Sequence, residues 1–483
     1  MFVDRRQEMV FLNSLLTRKR PGPAQLALMF GRRRVGKSEL LLQWAAQSGL
    51  PFTYWEAVKE TATQQRTRLF GKLLNVPASS APVYRSWPEL WDAAAPLLLG
   101  KRQILILDEI PYAADADPAM LSALQYAWDQ HFQKSEVVLV LCGSQVRVME
   151  KLFSEQSPLF GRLTAQWHVE PLPFSALAEF FPKWDADARV ATYAMVGGIP
   201  AYLNWFDPDL DLIGNIRQTI LNPGSMFLAE PAFLLYDEVR EPNSYLSILK
   251  AIGGGAHTLT EIGERAFIPS TSVSFYLNTL QELRLVERRL PVTQPKAERG
   301  RSRSGRYRLS DAYFRFYFQF LEPFLSSSPL NTEQVIEAVR RNLRAFVGVS
   351  AFEELAREWV QLQGKAGKLP FAPDAIGSHW SSRVQVDVVA INWMTHDILL
   401  GECKWDTDRV DRQVVRELIE TKTPLVLKDL PSEGAGWQVH YALFVRSGFT
   451  PAAVEQLQKV GGLAVDLNDL DTALRHVLGH ESA

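Results

Sequence analysis

The chain has few cysteines, no long hydrophobic run and no excess of charge of one sign. Cys142 and Cys403 are its two cysteines, which excludes a disulfide framework and favours a reducing, intracellular setting. The longest apolar runs, such as residues 137–142, fall far short of the ~20 residues that a membrane helix needs. Lysine and arginine number 52 against 54 acidic residues, a net charge of −2. Any nucleic acid contact must therefore depend on local charge.

The rest of the composition is typical of a folded protein with several domains. Hydrophobic residues make up 47% of the 483 residues and charged residues 22%, which argues against extensive disorder. At ~150 residues per domain, this length predicts about three domains. The first twenty residues lack the apolar core of a signal peptide. We therefore expect a cytoplasmic protein that has no membrane segment.

Hydrophobic patterning predicts an α/β domain followed by a helical lid. In residues 1–175, short apolar runs alternate with helix-patterned stretches, which predicts a parallel sheet covered by helices. Residues 26–30, 104–107 and 137–141 do not alternate in polarity, as expected of strands that are buried on both faces. Residues 176–235 have a helical pattern rich in aromatic side chains, and we interpret them as the lid.

The second half of the chain is predicted to contain two further domains. Residues 236–325 give three helices and then two short strands around a polar loop, which is the order of a winged helix-turn-helix. Residues 326–345 are predicted to be a linker. Residues 346–483 begin as a helix and continue with strands at 384–391 and 398–403, which predicts a second α/β domain.

A phosphate-binding motif is the strongest functional signal. Residues 31–38 have the form G-x-x-x-x-G-K-S and lie between a predicted strand and a predicted helix at 39–47, the context that the P-loop requires. Its glycines allow backbone N–H groups to surround phosphates, while Lys37 would reach the β- and γ-phosphates and Ser38 would bind Mg²⁺. The residues predicted to bind ATP here are Gly31, Arg32, Arg33, Arg34, Val35, Gly36, Lys37, Ser38 and Glu39.

Acidic and polar residues follow the next predicted strands. Asp108 is a candidate Mg²⁺ ligand, and Glu109 could orient or deprotonate the attacking water. After residues 137–141, Ser144 or Gln145 is a candidate contact of the γ-phosphate, a plain turn being the alternative. Arg162 is a candidate transition-state arginine, with a surface role as the alternative.

These features together resemble the archaeal-type ATPases, which are P-loop proteins related to AAA+ and STAND NTPases. The similarity lies in residues 2–8 (Phe-Val-Asp-Arg-Arg-Gln-Glu), in the three loop arginines, in Asp108-Glu109 and in Gly161-Arg162. It implies Mg²⁺-dependent ATP hydrolysis. Gly197-Gly198-Ile199-Pro200 also resembles the Gly-x-Pro element of the STAND lid, which implies that Pro200 lies against the nucleotide. An interhelical turn is the alternative.

The predicted winged helix has features that suit DNA. Residues 270–283 would be its recognition helix, with Ser274 and Asn278 off the apolar stripe. The wing contains five arginines, which suit contacts with DNA phosphates. They are Arg299, Arg301, Arg303, Arg306 and Arg308. The alternative is that this domain docks a protein.

The C-terminal domain contains a possible metal site. Asp387 lies in an apolar strand, where a lone carboxylate is costly, and Glu402 and Lys404 point to one face of the next strand. The carboxylates could bind Mg²⁺ or Mn²⁺ beside a lysine that stabilises developing charge. This order resembles the PD-(D/E)xK nucleases, in which a glutamate of the leading helix, here Glu353 or Glu354, often contributes. The segment also resembles the DUF234 domain that often ends archaeal-type ATPases.

Two functions follow from these predictions. The first is an ATPase that couples its nucleotide state to DNA binding or processing by the winged-helix and nuclease-like domains, with ATP and Mg²⁺ as cofactors and DNA as the partner. The alternative is a STAND-like ATP-dependent regulatory switch, whose inactive nuclease-like domain recruits protein or DNA. Self-association and a partner protein stay open in both.

Overall fold

A computed structural model describes residues 2–20, 22–151, 154–302, 304–325 and 330–480. The chain separates into two compact units. The first unit comprises Met1–Leu172 and Ile199–Ala201, and the second comprises Pro173–Gly198 and Tyr202–Ala483. Across the described ranges, no helix combines the length and the apolar character needed to cross a membrane.

The first unit alternates helices with strands, as the sequence predicts. In chain order its elements are α1 (Arg6–Thr17), β1 (Gln25–Phe30), α2 (Lys37–Gln47), β2 (Phe52–Glu56), α3 (Ala62–Leu74), α4 (Trp87–Leu98), β3 (Gln103–Asp108), α5 (Ile110–Ala116), α6 (Ala119–Ala127), β4 (Val137–Gly143), α7 (Val146–Lys151) and β5 (Ala165–His168). Large side chains from the helices, including Trp44, Trp87 and Trp91, are fully buried against the sheet. Each contributes roughly 1.5–3 kcal/mol or more through its apolar area.

The sheet of the first unit is parallel, with the strand order β2-β3-β4-β1-β5. Strands β1, β3 and β4 are fully buried, which confirms the three strands predicted from their apolar runs. Strands β2 and β5 lie at the edges and are partly exposed, so their sequences gave no such signal. Because β1, β3 and β4 are parallel neighbours, the residues at their carboxyl ends meet at one edge of the sheet.

The second unit begins with helices where the lid was predicted. They are α8 (Leu177–Phe180), α9 (Ala186–Val196), α10 (Pro200–Trp205, whose first two residues group with the first unit), α11 (Leu212–Asn215) and α12 (Glu230–Glu238). Val190 and Ala194 of α9 share one core with Leu399 and Phe444 of the C-terminal sheet. Helix α9 is therefore part of the second unit's core rather than of a separate lid.

Three helices and a hairpin follow. They are α13 (Pro242–Gly253), α14 (Leu259–Ala266), α15 (Ser270–Glu282), β6 (Val286–Arg289) and β7 (Arg306–Leu309), and the two strands pair antiparallel. Helix α14 begins where Thr258 and Glu261 form a capping box, which satisfies its first N–H groups. Strand β6 ends two residues before Pro291, which has no N–H to donate to a ladder.

The C-terminal part of the unit is a mixed sheet with helices on both faces. Its elements are α16 (Ala312–Phe316), α17 (Thr332–Val347), α18 (Glu353–Lys365), β8 (Ala375–Trp380), β9 (Gln385–Asn392), β10 (Asp397–Lys404), α19 (Arg412–Arg416), α20 (Thr423–Leu427), β11 (Gln438–Val445), α21 (Pro451–Lys459), β12 (Leu463–Asp466) and α22 (Leu467–His480). The strand order is β12-β11-β10-β9-β8. The pairs β8/β9 and β9/β10 are antiparallel, and β10/β11 and β11/β12 are parallel. Leu399 and Leu400 point into cores on opposite faces.

The predicted linker at residues 326–345 is helical from Thr332 onwards, and this prediction is corrected. Helix α17 buries Val335, Ile336 and Val339, which lie at the three- and four-residue spacing of an apolar stripe. A π-helical turn, Gly348–Phe352, joins α17 to α18. The predicted break at residues 326–329 lies outside the described residues.

Candidate functional site

At one position, Gly31, the loop between β1 and α2 has no room for a side chain larger than that of glycine. A Cβ on Gly31 would stand 2.4 Å from the carbonyl oxygen of Val169. Gly36 precedes α2 with a φ of 87°, in the left-handed region that favours glycine. Lys37 is buried, and its ammonium donates to the carbonyl oxygens of Gly31 at 2.8 Å and Arg32 at 3.0 Å. The loop thus holds the lysine beside the backbone that we predict surrounds the phosphates.

Asp108 connects this loop to strand β3. Its fully buried carboxylate accepts hydrogen bonds from the Ser38 hydroxyl at 2.5 Å, from the Tyr54 hydroxyl at 2.7 Å and from the Glu109 N–H at 2.9 Å. Burial and the charge of Asp108 raise the pKa of Tyr54 well above its usual value, so Tyr54 remains a donor. Sequence reasoning missed Tyr54, because it lies on the unpredicted edge strand β2.

Glu109 and Ser144 form a second link across the edge. The Glu109 carboxylate accepts from both the N–H and the hydroxyl of Ser144, at 3.1 Å and 3.0 Å. Glu109 has a left-handed φ of 48°, which is uncommon for a residue other than glycine and is found at strained functional positions. The two predicted residues that follow β3 and β4 are therefore in direct contact.

Arg5 supports the phosphate loop from the N-terminal segment. Its buried guanidinium donates to the carbonyl oxygen of Val35 at 2.6 Å and to that of Glu170 at 2.9 Å, and it pairs with Glu8 at 2.7 Å. The resemblance in residues 2–8 was the only sequence signal for this role. Pro200 also lies next to the loop, since its Cγ is 4.0 Å from where a Cβ of Gly36 would be.

The other residues predicted at this site have varied environments. Val35 is fully buried, while Arg33 and Glu39 are exposed. Arg162 forms a bidentate pair with Asp129, at 2.8 Å and 2.7 Å, and its remaining nitrogen donates to the carbonyl oxygen of Pro158. These partners are not phosphate-loop residues, and the transition-state role of Arg162 stays a prediction.

The residues of the nucleotide site fit a bound Mg²⁺. A hydroxyl and a carboxylate oxygen, from Ser38 and Asp108, already lie 2.5 Å apart, and oxygen is the ligand that Mg²⁺ prefers. Mg²⁺ commonly binds to one or two protein oxygens and completes its octahedron with water and substrate phosphates. A preformed group of three carboxylates is therefore not needed here.

The predicted acidic residues of the C-terminal domain also come together. The Asp387 carboxylate accepts from the Cys403 N–H at 3.1 Å, and Glu402 accepts from Lys404 at 3.2 Å. Burial and the charge of Glu402 raise the pKa of Asp387, and burial and the charge of Asp387 raise that of Glu353. We call Asp387, Glu402, Lys404 and Glu353 the acidic cluster.

Lys422, which sequence reasoning missed, changes the expected chemistry of the acidic cluster. Its ammonium lies 2.7 Å from both carboxylate oxygens of Glu402, the position where a metal ion was expected. Within the part of the chain that the structure describes, no group of three or more His, Cys, Asp or Glu side chains could hold a metal ion. Lys422 would have to leave Glu402 before a metal ion could bind there, and the metal site at Asp387, Glu402 and Glu353 stays a prediction.

Glu354, the neighbour of Glu353, has a different environment. It pairs with Arg289 at 3.0 Å, Arg308 at 3.1 Å and Arg315 at 3.1 Å. Burial alone would raise the pKa of Glu354, but these arginines outweigh it and lower the pKa to about 2. Since Arg289 and Arg308 lie on β6 and β7, Glu354 ties the hairpin to helix α18.

The wing arginines that the structure describes bind within the second unit. Arg308 donates to the carbonyl oxygen of Val349 at 2.9 Å, and burial lowers its pKa to about 10. Arg306 lies over the ring of Trp380 at 5.1 Å, and Arg299 donates to two nearby carbonyl oxygens. These three arginines would have to give up these partners to contact DNA phosphates, and their role in DNA binding stays a prediction. Arg303 and the side chain of Arg301 lie outside the described residues, while Ser274 and Asn278 on α15 are exposed.

Comparison with known proteins gives two family matches. Residues 2–206 match a family described as an ATPase domain predominantly from Archaea (ATPase_2). Residues 317–416 match DUF234, described as archaea bacterial proteins of unknown function. The chain is also 32% identical over 432 residues to the uncharacterized protein MJECL04 of Methanocaldococcus jannaschii, which covers 89% of this chain and 93% of that protein.

Solved structures with some similarity include archaeal ATPases. The Walker-type ATPase PABY2304 of Pyrococcus abyssi is 18% identical, with a TM-score of 0.45 over 66% of this chain and 96% of that chain. The ORC2 protein of Aeropyrum pernix, in ADPNP–ADP complexes, is 14% identical, with a TM-score of 0.42 over 71% of this chain and 94% of that one.

Proposed function

This chain belongs to the archaeal-type ATPase family with an ATPase_2 domain and a C-terminal DUF234 region, and we propose that it hydrolyses ATP with Mg²⁺ at the carboxyl edge of its parallel sheet. The observation that best supports this is the 2.5 Å hydrogen bond between Ser38 and Asp108. It joins the end of the phosphate loop to the end of β3, so that both predicted Mg²⁺ ligands belong to one site.

The residues around this bond suit distinct roles in hydrolysis. Lys37 would exchange its two loop carbonyls for β- and γ-phosphate oxygens. Mg²⁺, when bound by Ser38 and Asp108, supplies charge neutralisation at the phosphates. Glu109 would accept the proton of the attacking water. Ser144, through its two hydrogen bonds to the Glu109 carboxylate, would position that base.

Residues around the loop are proposed to complete the nucleotide site. The predicted phosphate loop contains Arg32, Arg33 and Arg34, and Glu39 follows it in sequence. The position of Pro200 beside Gly36 supports a contact between this proline and the nucleotide. Arg162 would act on the transition state after release from Asp129, which now holds two of its guanidinium nitrogens.

Steady-state phosphate release tests the ATPase proposal. Lys37→Ala should abolish turnover and leave the far-UV circular dichroism unchanged. The matched control is Lys101→Ala, an exposed lysine just before β3, which should keep the wild-type rate. Hydrolysis by Lys37→Ala at the wild-type rate would contradict the assignment.

For the second unit we propose DNA binding that responds to the nucleotide state. Three helices followed by an antiparallel hairpin support a winged helix, and Ser274 and Asn278 are exposed on α15 as a reading surface requires. Stimulation of ATP hydrolysis by DNA would support the coupling. Tight nucleotide retention with little turnover, and no response to DNA, would instead favour the regulatory switch.

Cleavage of DNA by the acidic cluster is the second candidate function. The proximity of Asp387, Glu402 and Lys404 favours it, while the hold of Lys422 on Glu402 favours a binding domain that does not cut. Incubation with Mn²⁺ and plasmid or single-stranded DNA separates them. Equal behaviour of the wild type and Lys404→Ala would exclude nuclease chemistry at this cluster.

A further inference from the structure

A cavity of about 380 Å³ lies between helix α17 and the end of strand β10. Its lining includes three arginines of one helix, Arg340, Arg341 and Arg344, two carboxylates, Glu353 and Asp406, and also Cys403 and Trp405. We call it the α17 cavity. Ligand pockets usually enclose about 300–1,000 Å³, so its volume suits one nucleotide unit of a single strand rather than a duplex.

The sequence of α17 explains why these arginines face solvent. Val335, Ile336 and Val339 form the buried stripe of the helix, and Arg340, Arg341 and Arg344 are all exposed. Arg341 reaches Glu337 at 3.4 Å, a surface pair worth little in water. Among the described residues, the side chains of Arg340 and Arg344 form neither a hydrogen bond nor an ion pair, although the charge of Arg340 acts on Glu333.

The arginines around Glu354 provide the contrast. Arg289, Arg308 and Arg315 are committed to Glu354. The arginines of the α17 cavity can therefore bind a new anion without first losing a strong carboxylate pair. An arginine fork presents parallel N–H groups that match the two oxygens of a phosphodiester.

The α17 cavity borders the acidic cluster. Glu353 belongs to both, whereas the side chain of Cys403 faces away from those of Glu402 and Lys404, its neighbours on β10. The Cys403 N–H donates to Asp387 at 3.1 Å. An anion held by the arginines would thus lie beside Glu353, the residue that the cavity shares with the acidic cluster.

We propose that the α17 cavity binds the phosphodiester backbone of a single nucleic acid strand and holds it beside the acidic cluster. This inference rests on the proposed role of the second unit in DNA binding, and it assigns the contact to α17 rather than to the wing. An acidic protein segment is the competing ligand. The adjoining carboxylates and lysine, a group typical of phosphodiester chemistry, favour nucleic acid.

The test is fluorescence anisotropy on the full chain with labelled single-stranded DNA and RNA of the same sequence. The double variant Arg340→Ala/Arg344→Ala should weaken both complexes by about tenfold or more, because two charge-assisted phosphate contacts are lost. The slope of log affinity against log salt should fall by about 1.4, at roughly 0.7 per phosphate of a single strand. Equal losses for DNA and RNA would assign the contact to the shared backbone.

The charge-matched control is Lys365→Ala/Lys368→Ala, at the end of α18 and beyond it, where both lysines are exposed. It removes the same charge and should leave affinity within about twofold, since it touches no proposed phosphate contact. Labelled polyglutamate is the probe for an acidic protein segment. Wild-type affinity for nucleic acid in the arginine variant, or a loss of affinity confined to polyglutamate, would overturn the proposal. ATP hydrolysis is measured alongside. An active ATPase that binds no nucleic acid would refute this inference while leaving the ATPase assignment intact.

Discussion

Substitution of Glu354 by glutamine should strongly destabilise the second unit. Glutamine keeps the size of the side chain but removes the charge that Arg289, Arg308 and Arg315 share. The side chain of Glu354 is 27% exposed and that of Arg315 is 12% exposed, so solvent compensates the lost charge only in part. The variant would leave three guanidiniums crowded around a neutral amide.

The size of the effect follows from the carboxylate's surroundings. The arginines lower the pKa of Glu354 to about 2, compared with about 4.3 for an unperturbed glutamate. At about 1.4 kcal/mol per pH unit, this favours the charged form in the fold by roughly 3 kcal/mol. Because a quarter of the Glu354 side chain is in contact with water, we expect Glu354→Gln to lower the free energy of unfolding by about 2–3 kcal/mol. The charged Glu354 carboxylate stabilises the fold fully above about pH 4.3, and this stabilisation is lost as the pH falls towards 2.

Hydrogen exchange at neutral pH, read by mass spectrometry on peptides of α18 and β9–β10, measures this loss locally. A loss of 2 kcal/mol corresponds to roughly 30-fold faster exchange through unfolding of the unit. Glu353→Gln is the matched control. Burial and Asp387 raise the pKa of Glu353, so a neutral side chain there should cost little or be favourable. Unchanged exchange in Glu354→Gln, or a larger loss in Glu353→Gln, would refute the reasoning.

Two further predictions concern the nucleotide site. Gly31→Ala should weaken ATP binding by about tenfold or more, as measured with a fluorescent ATP analogue, because its Cβ would meet the Val169 carbonyl at 2.4 Å and overpacking typically costs about 1–3 kcal/mol. Wild-type affinity would mean that the backbone at Val169, just after β5, shifts easily. Ser144→Ala should lower kcat about tenfold and change ATP affinity little, since it removes the hydroxyl donor to the proposed base, keeps the backbone N–H donor and does not touch the phosphate loop. A loss of affinity with unchanged kcat would show that Ser144 contacts the nucleotide instead.

The parts of the fold that the sequence predicted are those with local signals. Strands β1, β3 and β4 are continuous apolar runs because they are buried on both faces. The phosphate loop and Asp108 are adjacent to these strands in sequence, so their meeting follows from parallel strand order alone. Tyr54 is different, because its contact with Asp108 joins residues 54 positions apart through an edge strand.

The environment of charged residues was the least predictable feature. Lys422 reaches Glu402 across 20 positions of sequence, and nothing in its local pattern distinguishes it from other surface lysines. Glu353 and Glu354 are neighbours in sequence, yet their pKa values shift in opposite directions. Burial beside Asp387 raises the pKa of Glu353, and three arginines lower the pKa of Glu354. Such differences depend on tertiary packing, which helical spacing does not encode.

The arginines of the second unit illustrate the same limit and suggest how to separate two modes of DNA binding. If the wing binds DNA, Arg308 must first leave Glu354 and the carbonyl oxygen of Val349. Glu354→Gln would lower that barrier and strengthen DNA binding. If the strand instead binds at Arg340 and Arg344, the same substitution should leave the affinity nearly unchanged, because neither residue contacts Glu354. We expect the second result, and a clear gain in affinity would return the DNA contact to the wing.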